Sequence, residues 1–201
     1  MIPTFLRHGS NAVLLTGLAL LAVAFAVRET AFVWIGALIG AVLFFVSEYG
    51  THRFLFHARP VKYGWLLKLQ HRLHYDHHID PPKLELLFLP WWFVLPTALA
   101  YFLIYLAVTR NLALTLSLLF GSLFALAFYE WVHYVAHIPF VPKTPMGRYM
   151  KKYHLWHHFK NEHLWFGVTN PSMDHVMRSY RAVESAERST TVREIWRGID
   201  S

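Results

Sequence analysis

The chain has 201 residues, of which 55% are hydrophobic, 17% aromatic and 15% charged. Soluble domains carry about 25% charged residues, and disorder requires low hydrophobicity, so this composition excludes a disordered chain and disfavours a soluble globule. The formal net charge is +7, with 14 histidines and no cysteine. The absence of cysteine excludes disulfides, thiolate metal sites and a cysteine nucleophile.

Four apolar stretches predict membrane-spanning helices, at residues 11–27, 31–50, 86–108 and 112–132. A helix rises ~1.5 Å per residue and the hydrocarbon core is ~30 Å thick, so a span needs about 20 residues. Short connections at 28–30 and 109–111 join the spans into two hairpins. A signal peptide is disfavoured because the second stretch follows the first so closely. A soluble core is disfavoured because too little polar chain remains to cover four apolar helices.

The basic residues predict the orientation of these spans. Each hairpin turn holds one basic residue, and the other 17 of the 19 lie in the N-terminus, in 51–83 and in 135–201. With four spans these three segments share one side, which the positive-inside rule makes cytoplasmic. We therefore expect a single membrane domain over 1–201, with a cytoplasmic helical cap at 51–85 and 133–177 and a polar tail at 178–201. The positive charge suits anionic headgroups, and no segment resembles a nucleic-acid-binding module.

Ten histidines occur in four groups at the ends of the spans and in the cap. They are His52 and His57, then His74, His77 and His78, then His133 and His137, then His154, His157 and His158. Most of these spacings are helical, so neighbouring imidazoles share one face and can chelate a metal. Crowded imidazoles repel one another as they protonate, whereas a metal keeps them neutral and close. Ten ligands exceed the need of one ion, so the pattern predicts a dinuclear metal site.

Few acidic residues accompany these histidines. Glu48 lies four residues before His52, and Glu130 lies three before His133. Each is placed to accept the ring N–H of that histidine and so fix its tautomer. Asp76 is a third, more ambiguous candidate for this role. His71 is left open as an extra ligand, whereas the histidines expected not to bind metal are His8, His163 and His175.

The four histidine boxes read His52-Arg-Phe-Leu-Phe-His57, His74-Tyr-Asp-His77-His78, His133-Tyr-Val-Ala-His137 and His154-Leu-Trp-His157-His158. Over about 45–177 the chain resembles the fatty acid hydroxylase / sterol desaturase superfamily of membrane di-iron enzymes, and within it the fatty acid 2-hydroxylase branch. The sequences Glu48-Tyr49, Asp80-Pro81-Pro82 and 166–171 support this resemblance. Two departures are Ile138, where relatives often have a second histidine, and the stretch after Asp174, where they often have Phe-Gly-Thr.

The resemblance implies two iron ions held by the ten histidines, with zinc as an alternative occupant of a purified sample and no organic cofactor in the chain. It implies an O₂-dependent hydroxylase of fatty acyl lipid that takes electrons from a separate electron-transfer protein. The expected location is the bacterial inner membrane or the endoplasmic reticulum, with the metal site on the cytoplasmic face. Aromatic residues expected to line the lipid path are Phe54, Phe56, Trp156, Trp165 and Phe166, whereas interface anchoring is at least as good a role for Trp65, Trp91 and Trp92.

Three alternatives remain open. One is another reaction of the same superfamily, such as oxidation of a sterol or carotenoid, or desaturation. A second is a metal transporter, which is disfavoured because transporters place ionisable groups at the bilayer midplane, and the middle of each predicted span has neither charge nor histidine. A third is a metal-stabilised scaffold without catalytic activity.

Overall fold

A computed structural model describes residues 1–27 and 31–192 of the chain, and within these ranges the protein is helical and has no strand. The predicted turn at Arg28–Thr30 and the apolar pair Ile195 and Trp196 of the polar tail lie outside the described residues. The helices are α1 (Ile2–Arg7), α2 (Gly9–Val27), α3 (Trp34–Gly50), α4 (Gly64–Gln70), α5 (Asp76–Ile79), α6 (Leu84–Leu87), α7 (Trp91–Thr109), α8 (Leu112–His137), α9 (Pro145–Phe159) and α10 (Ser172–Val176). Two π-helical turns, Thr51–Phe56 and His71–Tyr75, follow α3 and α4.

Four helical segments are long and apolar enough to cross a membrane. They cover Gly9–Val27, Trp34–Phe56, Leu84–Thr109 and Leu112–His137. These segments confirm the predicted all-α fold with four membrane-spanning helices. The last one is the most enclosed, with 56% of its apolar window buried against 22–28% for the others. Most of the apolar surface of the other three is therefore left for lipid.

The chain divides into two compact units. The first comprises Met1–Val46 and Leu89–Glu130, and the second comprises Ser47–Phe88 and the chain from Trp131 onward. The first unit contains most of the membrane-spanning residues. All ten predicted metal ligands fall in the second unit.

Within the first unit, α3 and α8 pack backbone against backbone. A Cβ atom added to Gly40 would lie 2.0 Å from the carbonyl oxygen of Leu118, and one added to Gly121 would lie 1.9 Å from that of Ala37. Ser122 Oγ also donates to Gly40 O at 2.9 Å. Small residues allow this close approach in a membrane, where van der Waals contact and interhelical hydrogen bonds hold helices together.

In the second unit, the ends of α8 and α9 are fixed by polar contacts. Thr144 caps α9 by accepting from Gly147 N at 3.1 Å, and Pro145 occupies the first helical position, where its missing N–H costs nothing. Lys151 Nζ donates to the carbonyl oxygens of Val135 and Ile138 at 3.0 and 2.6 Å. These bonds tie α9, which carries three of the predicted ligands, to the C-terminal turn of α8, which carries two.

Candidate metal centre

The ten predicted ligands form two clusters of five. The ligand nitrogens within each cluster all lie within 4.8 Å of one another. The first cluster consists of His52, His57, His74, His78 and His157, and the second of His77, His133, His137, His154 and His158. The structure therefore brings together all ten histidines and divides them equally.

A π-helical turn explains how His52 and His57 reach the same cluster. Five residues of regular α-helix would point the two rings about 140° apart. Here His57 N donates to His52 O at 3.1 Å, which is the i→i+5 bond of a π-helix. The wider turn places the two rings on one side, with their centroids 5.0 Å apart.

Each histidine triplet contributes to both clusters. His74 and His78 join the first cluster and His77 the second, whereas His154 and His158 join the second cluster and His157 the first. In both triplets the residues four apart stay together and the third residue crosses to the other cluster. The rings of His78 and His158 stack with their centroids 4.1 Å apart, so the two clusters are in direct contact.

The arrangement of ring nitrogens fits metal ions. In the first cluster the Nε2 atom of His57 lies 2.8 Å from that of His74 and 3.0 Å from that of His157. In the second, His133 and His77 approach at 3.0 Å, and His154 and His137 at 2.9 Å. Two nitrogens bound at 2.0–2.1 Å to one ion, at roughly right angles, lie about 3 Å apart. The observed separations are those of neighbouring ligands on one ion.

Two further observations support the same fit. The Nε2 atoms of His78 and His158 are buried and have no hydrogen-bond partner among the described residues, and a buried polar atom without a partner is costly unless it binds something. Burial, as the largest effect, lowers the pKa of His77 to about 3 and the pKa values of His74 and His158 well below 6.5. These histidines are therefore neutral at pH 7, which is the form that binds metal.

Backbone carbonyls orient two rings of the first cluster. His52 Nδ1 lies 2.5 Å from Phe166 O, and His157 Nδ1 lies 2.7 Å from Leu164 O. A carbonyl can only accept, so each Nδ1 carries the proton and each Nε2 presents its lone pair to the cluster.

The carboxylates differ from the sequence expectation. Glu48 accepts from the backbone of a loop, at 2.8 Å from Val168 N and 3.1 Å from Thr169 N, rather than from the ring of His52. The Nδ1 atom of His52 is taken by the same loop, through Phe166 O. Contacts from a distant segment of the chain thus replace the local i, i+4 contact that spacing alone suggested.

The other two acidic candidates also have different partners. In the first unit, Glu130 accepts from Leu89 N at 3.1 Å. Asp76 Oδ1 lies 2.8 Å from Nδ1 of His71, so it pairs with the histidine that was left open as an extra ligand. His71 belongs to neither cluster.

The histidines expected not to bind metal lie outside both clusters. The side chain of His163 is 72% exposed, with Nε2 3.3 Å from Glu162 Oε1. His175 stacks on Tyr180 with centroids 4.1 Å apart. His8 lies between α1 and α2, in the first unit.

The five aromatic residues expected to line the lipid path lie in three different surroundings. Phe166 packs against the rings of His52 and His57, with centroids 5.8 and 5.2 Å away, and Phe56 stacks on His74 at 5.2 Å. Trp156 and Trp165 instead belong to an apolar core with Met150 and Tyr153, whereas Phe54 is 59% exposed. Phe56 and Phe166 are therefore the two that give the first cluster an apolar wall.

Sequence reasoning missed two buried acids, Glu162 and Asp174. Of these two, Asp174 has the larger number of side-chain hydrogen bonds. It accepts from Phe166 N at 2.9 Å, Gly167 N at 2.8 Å, Tyr153 Oη at 2.9 Å and Ser179 Oγ at 2.7 Å. It lies in the short helix α10, whose five residues are too few for an apolar periodicity to mark a buried position. The Trp-Phe-Gly stretch before it, in which Trp165 has a left-handed φ of 59°, is the feature that could have drawn attention to it.

Four membrane-spanning helices and two buried histidine clusters define the class: an integral membrane protein with two groups of histidines that could each hold a metal ion. A model of the fatty acid hydroxylase family matches residues 37–179. This is more than half of the chain, which therefore belongs to the fatty acid hydroxylase family, as the histidine boxes predicted.

Several curated proteins are similar to this chain. The dihydroceramide fatty acyl 2-hydroxylase FAH2 of Arabidopsis thaliana is 32% identical over 155 residues, which cover 75% of this chain and 62% of the relative. The ceramide very long chain fatty acid hydroxylase SCS7 of Saccharomyces cerevisiae is 35% identical over 149 residues, which cover 71% of this chain and 37% of the relative. The chain thus spans between about a third and two thirds of the length of these relatives.

One solved structure has the same fold. It is that of full-length Scs7p, in which only the hydroxylase domain is visible, and it superposes with a TM-score of 0.77 at 27% sequence identity. The match covers 89% of this chain and 67% of the other.

Proposed function

We propose that this protein is a membrane-bound, O₂-dependent lipid hydroxylase that inserts oxygen at carbon 2 of a fatty acyl chain. The observation that carries the proposal is the pair of buried five-histidine clusters in a chain of the fatty acid hydroxylase family. The name of the Arabidopsis thaliana relative, a dihydroceramide fatty acyl 2-hydroxylase, supports the choice of substrate and position.

The metal is proposed to be a pair of iron ions, one in each cluster. Imidazole suits iron, copper, nickel and zinc alike, but zinc has no redox chemistry, so a zinc-loaded sample would be inactive. The histidines of the two clusters would hold the iron pair, which would supply the activation of O₂. With two electrons from a separate electron-transfer protein and two protons, one oxygen atom of O₂ would enter a C–H bond and the other would leave as water.

The residues of the chain provide the surroundings for this chemistry. Eight of the ten ligands are buried, so bulk water is kept from the centre. The carbonyls of Leu164 and Phe166 hold His157 and His52 with Nε2 free to bind metal. The rings of Phe56 and Phe166 offer an acyl chain an apolar surface beside the first cluster.

The positive-inside rule supports placing the metal site on the cytoplasmic face, in a bacterial inner membrane or the endoplasmic reticulum. Basic residues concentrated in the segments that carry the ligands suit an acidic electron carrier and anionic headgroups.

The proposal is tested with the full chain in lipid nanodiscs, loaded with Fe²⁺ and given O₂, a reductant and ceramides or free fatty acids. Mass spectrometry should show acyl chains heavier by one oxygen atom, with hydroxyl on carbon 2, and ¹⁸O₂ should label the product. His157→Ala should abolish the product, whereas His163→Ala, which alters an exposed histidine outside the clusters, should retain it. Loss of two hydrogens would instead indicate desaturation, and unchanged lipids with two irons bound would reject a fatty acyl hydroxylase.

A further inference from the structure

The loop Leu164–Thr169 contacts two histidines of the first cluster at their Nδ1 atoms, on the side of each ring away from the Nε2 atom that faces the cluster. Its carbonyl oxygens at Leu164 and Phe166 accept from Nδ1 of His157 and His52, respectively. These two histidines come from boxes more than 100 residues apart and meet in the same cluster. The position of the loop therefore determines the direction of two of the five ligands.

The loop has a backbone that needs support. Trp165 is fully buried and has a φ of 59°, in the left-handed region that bulky residues rarely adopt. At Gly167 an added Cβ would lie 2.1 Å from the carbonyl oxygen of Asn170, so no side chain fits there. Such a conformation persists only when the surrounding structure fixes it.

Two buried carboxylates provide that support from opposite ends. Glu48 accepts from Val168 N at 2.8 Å, Thr169 N at 3.1 Å and Thr169 Oγ1 at 2.6 Å. Asp174 accepts from Phe166 N at 2.9 Å and Gly167 N at 2.8 Å. Four consecutive backbone N–H groups, those of residues 166–169, are thus bound to carboxylate oxygens, which make stronger bonds than neutral acceptors.

Three of the five rings in the second cluster have no comparable support among the described residues. The Nδ1 atoms of His77, His154 and His158 are buried there without a hydrogen-bond partner from residues 1–27 or 31–192. In the first cluster, by contrast, His52 and His157 have short bonds to carbonyls, and His78 Nδ1 has a longer one of 3.4 Å to Val192 O. The two clusters have the same five-imidazole composition but differ in how their rings are held.

We propose that Glu48 and Asp174 are positioning residues for the first cluster alone: by fixing the loop Leu164–Thr169 they set the metal affinity of one of the two sites. This inference rests on the metal site of the proposed function. It does not depend on which lipid is oxidised, or on whether the metal is iron.

The test measures metal binding to Asp174→Asn. The amide has the shape of the carboxylate, but it places an N–H₂ group against at least one donor now bound by Asp174, because all four partners donate. Full-length protein in nanodiscs is stripped with a chelator and titrated with Zn²⁺ alone against a chromophoric competitor. Loss of contacts that orient ligating histidines typically costs 10–100-fold in metal affinity, so one of two ions should bind about 10–100-fold more weakly while the other is unchanged.

Two backgrounds identify the affected site. In His154→Ala, which impairs the second cluster, the added Asp174→Asn should weaken the remaining ion. In His157→Ala, which impairs the first cluster, the same change should leave the remaining ion unaffected. Equal weakening in both backgrounds, or none in either, would overturn the proposal, because a general loss of structure affects both clusters.

If Asp174→Asn does not fold, substitutions of Glu48 test the same proposal independently. In Glu48→Gln, the amide oxygen can still accept from the two backbone N–H groups, and the N–H₂ group can donate to Thr169 Oγ1. This variant should therefore bind both ions nearly as the wild type does. Glu48→Leu removes every acceptor and should weaken one ion selectively. Glu184→Gln, at an exposed position, is the matched control. A wild type that binds two Zn²⁺ ions, but forms no hydroxylated lipid when loaded with iron, would reject the proposed function and leave this inference standing.

Discussion

The histidines show how much a single residue type can reveal. Their helical spacing and their absence from residues 79–132 predicted ten ligands and two ions. The structure places those ten residues in two clusters of five histidines each. The spacing did not reveal which ring joins which cluster. That depends on a π-helical turn, and on His77 and His157 each joining the other cluster from the rest of their triplet. Local spacing also gave Glu48 the wrong partner, because its contacts come from residues about 120 positions away.

The buried histidines predict how the metal-free protein responds to pH. Burial places the pKa of His77 at about 3 and those of His57, His78 and His154 well below 6.5. In the unfolded chain each of them titrates near 6.5, so below that pH the unfolded state binds more protons than the folded state. The contribution of these neutral histidines to stability is therefore fully present above about pH 6.5 and is lost steadily as the pH drops towards their depressed pKa values.

Thermal unfolding of chelator-stripped protein in nanodiscs checks this expectation between about pH 7 and about pH 5. The wild type should unfold at a lower temperature at the lower pH. His154→Phe, which removes one of the depressed groups, should show a smaller difference, while His163→Ala should match the wild type. An unfolding temperature independent of pH would contradict the burial of neutral imidazoles.

At the scale of helices, the four apolar stretches were predicted correctly, and the structure extends several of them at their ends. The second span continues through the π turn to Phe56 and the fourth continues to His137, because the helices carry the ligands on their last turns. Hydropathy falls where histidines and glutamates begin, so a prediction based on apolar residues ends too early. The glycines of α3 and α8 show a second limit of prediction from sequence, because the sequence gives no indication of which glycine contacts the backbone of a neighbouring helix.

Gly121→Val should destabilise the protein markedly. The added Cβ would lie 1.9 Å from the carbonyl oxygen of Ala37, which is backbone and cannot move aside like a flexible side chain. Overpacking of this kind costs about 1–3 kcal/mol and occasionally more. Gly17→Ala is the matched control, because nothing lies within 4 Å of its added Cβ. Thermal unfolding in nanodiscs should separate the two, and equal unfolding temperatures would show that α3 and α8 are not in backbone contact.

At the scale of the whole molecule, the predicted orientation can be measured directly because the chain has no cysteine. A single cysteine at Glu184, which is exposed in the second unit, should react with a membrane-impermeant maleimide only from the cytoplasmic side. A cysteine at Arg110, in the turn after α7, should react only from the opposite side. Labelling of intact and of opened cells distinguishes these cases, and the reverse pattern would place the metal centre on the other face.

The contact between α3 and α8 also restricts how a lipid can approach. Where Gly40 meets Leu118 and Gly121 meets Ala37, the two backbones leave no gap as wide as a methylene chain. An acyl tail cannot slide sideways between these helices at that level of the bilayer. The interface between α3 and α8 is therefore closed to the substrate at this level, and a hydrocarbon chain that enters the protein must pass around it.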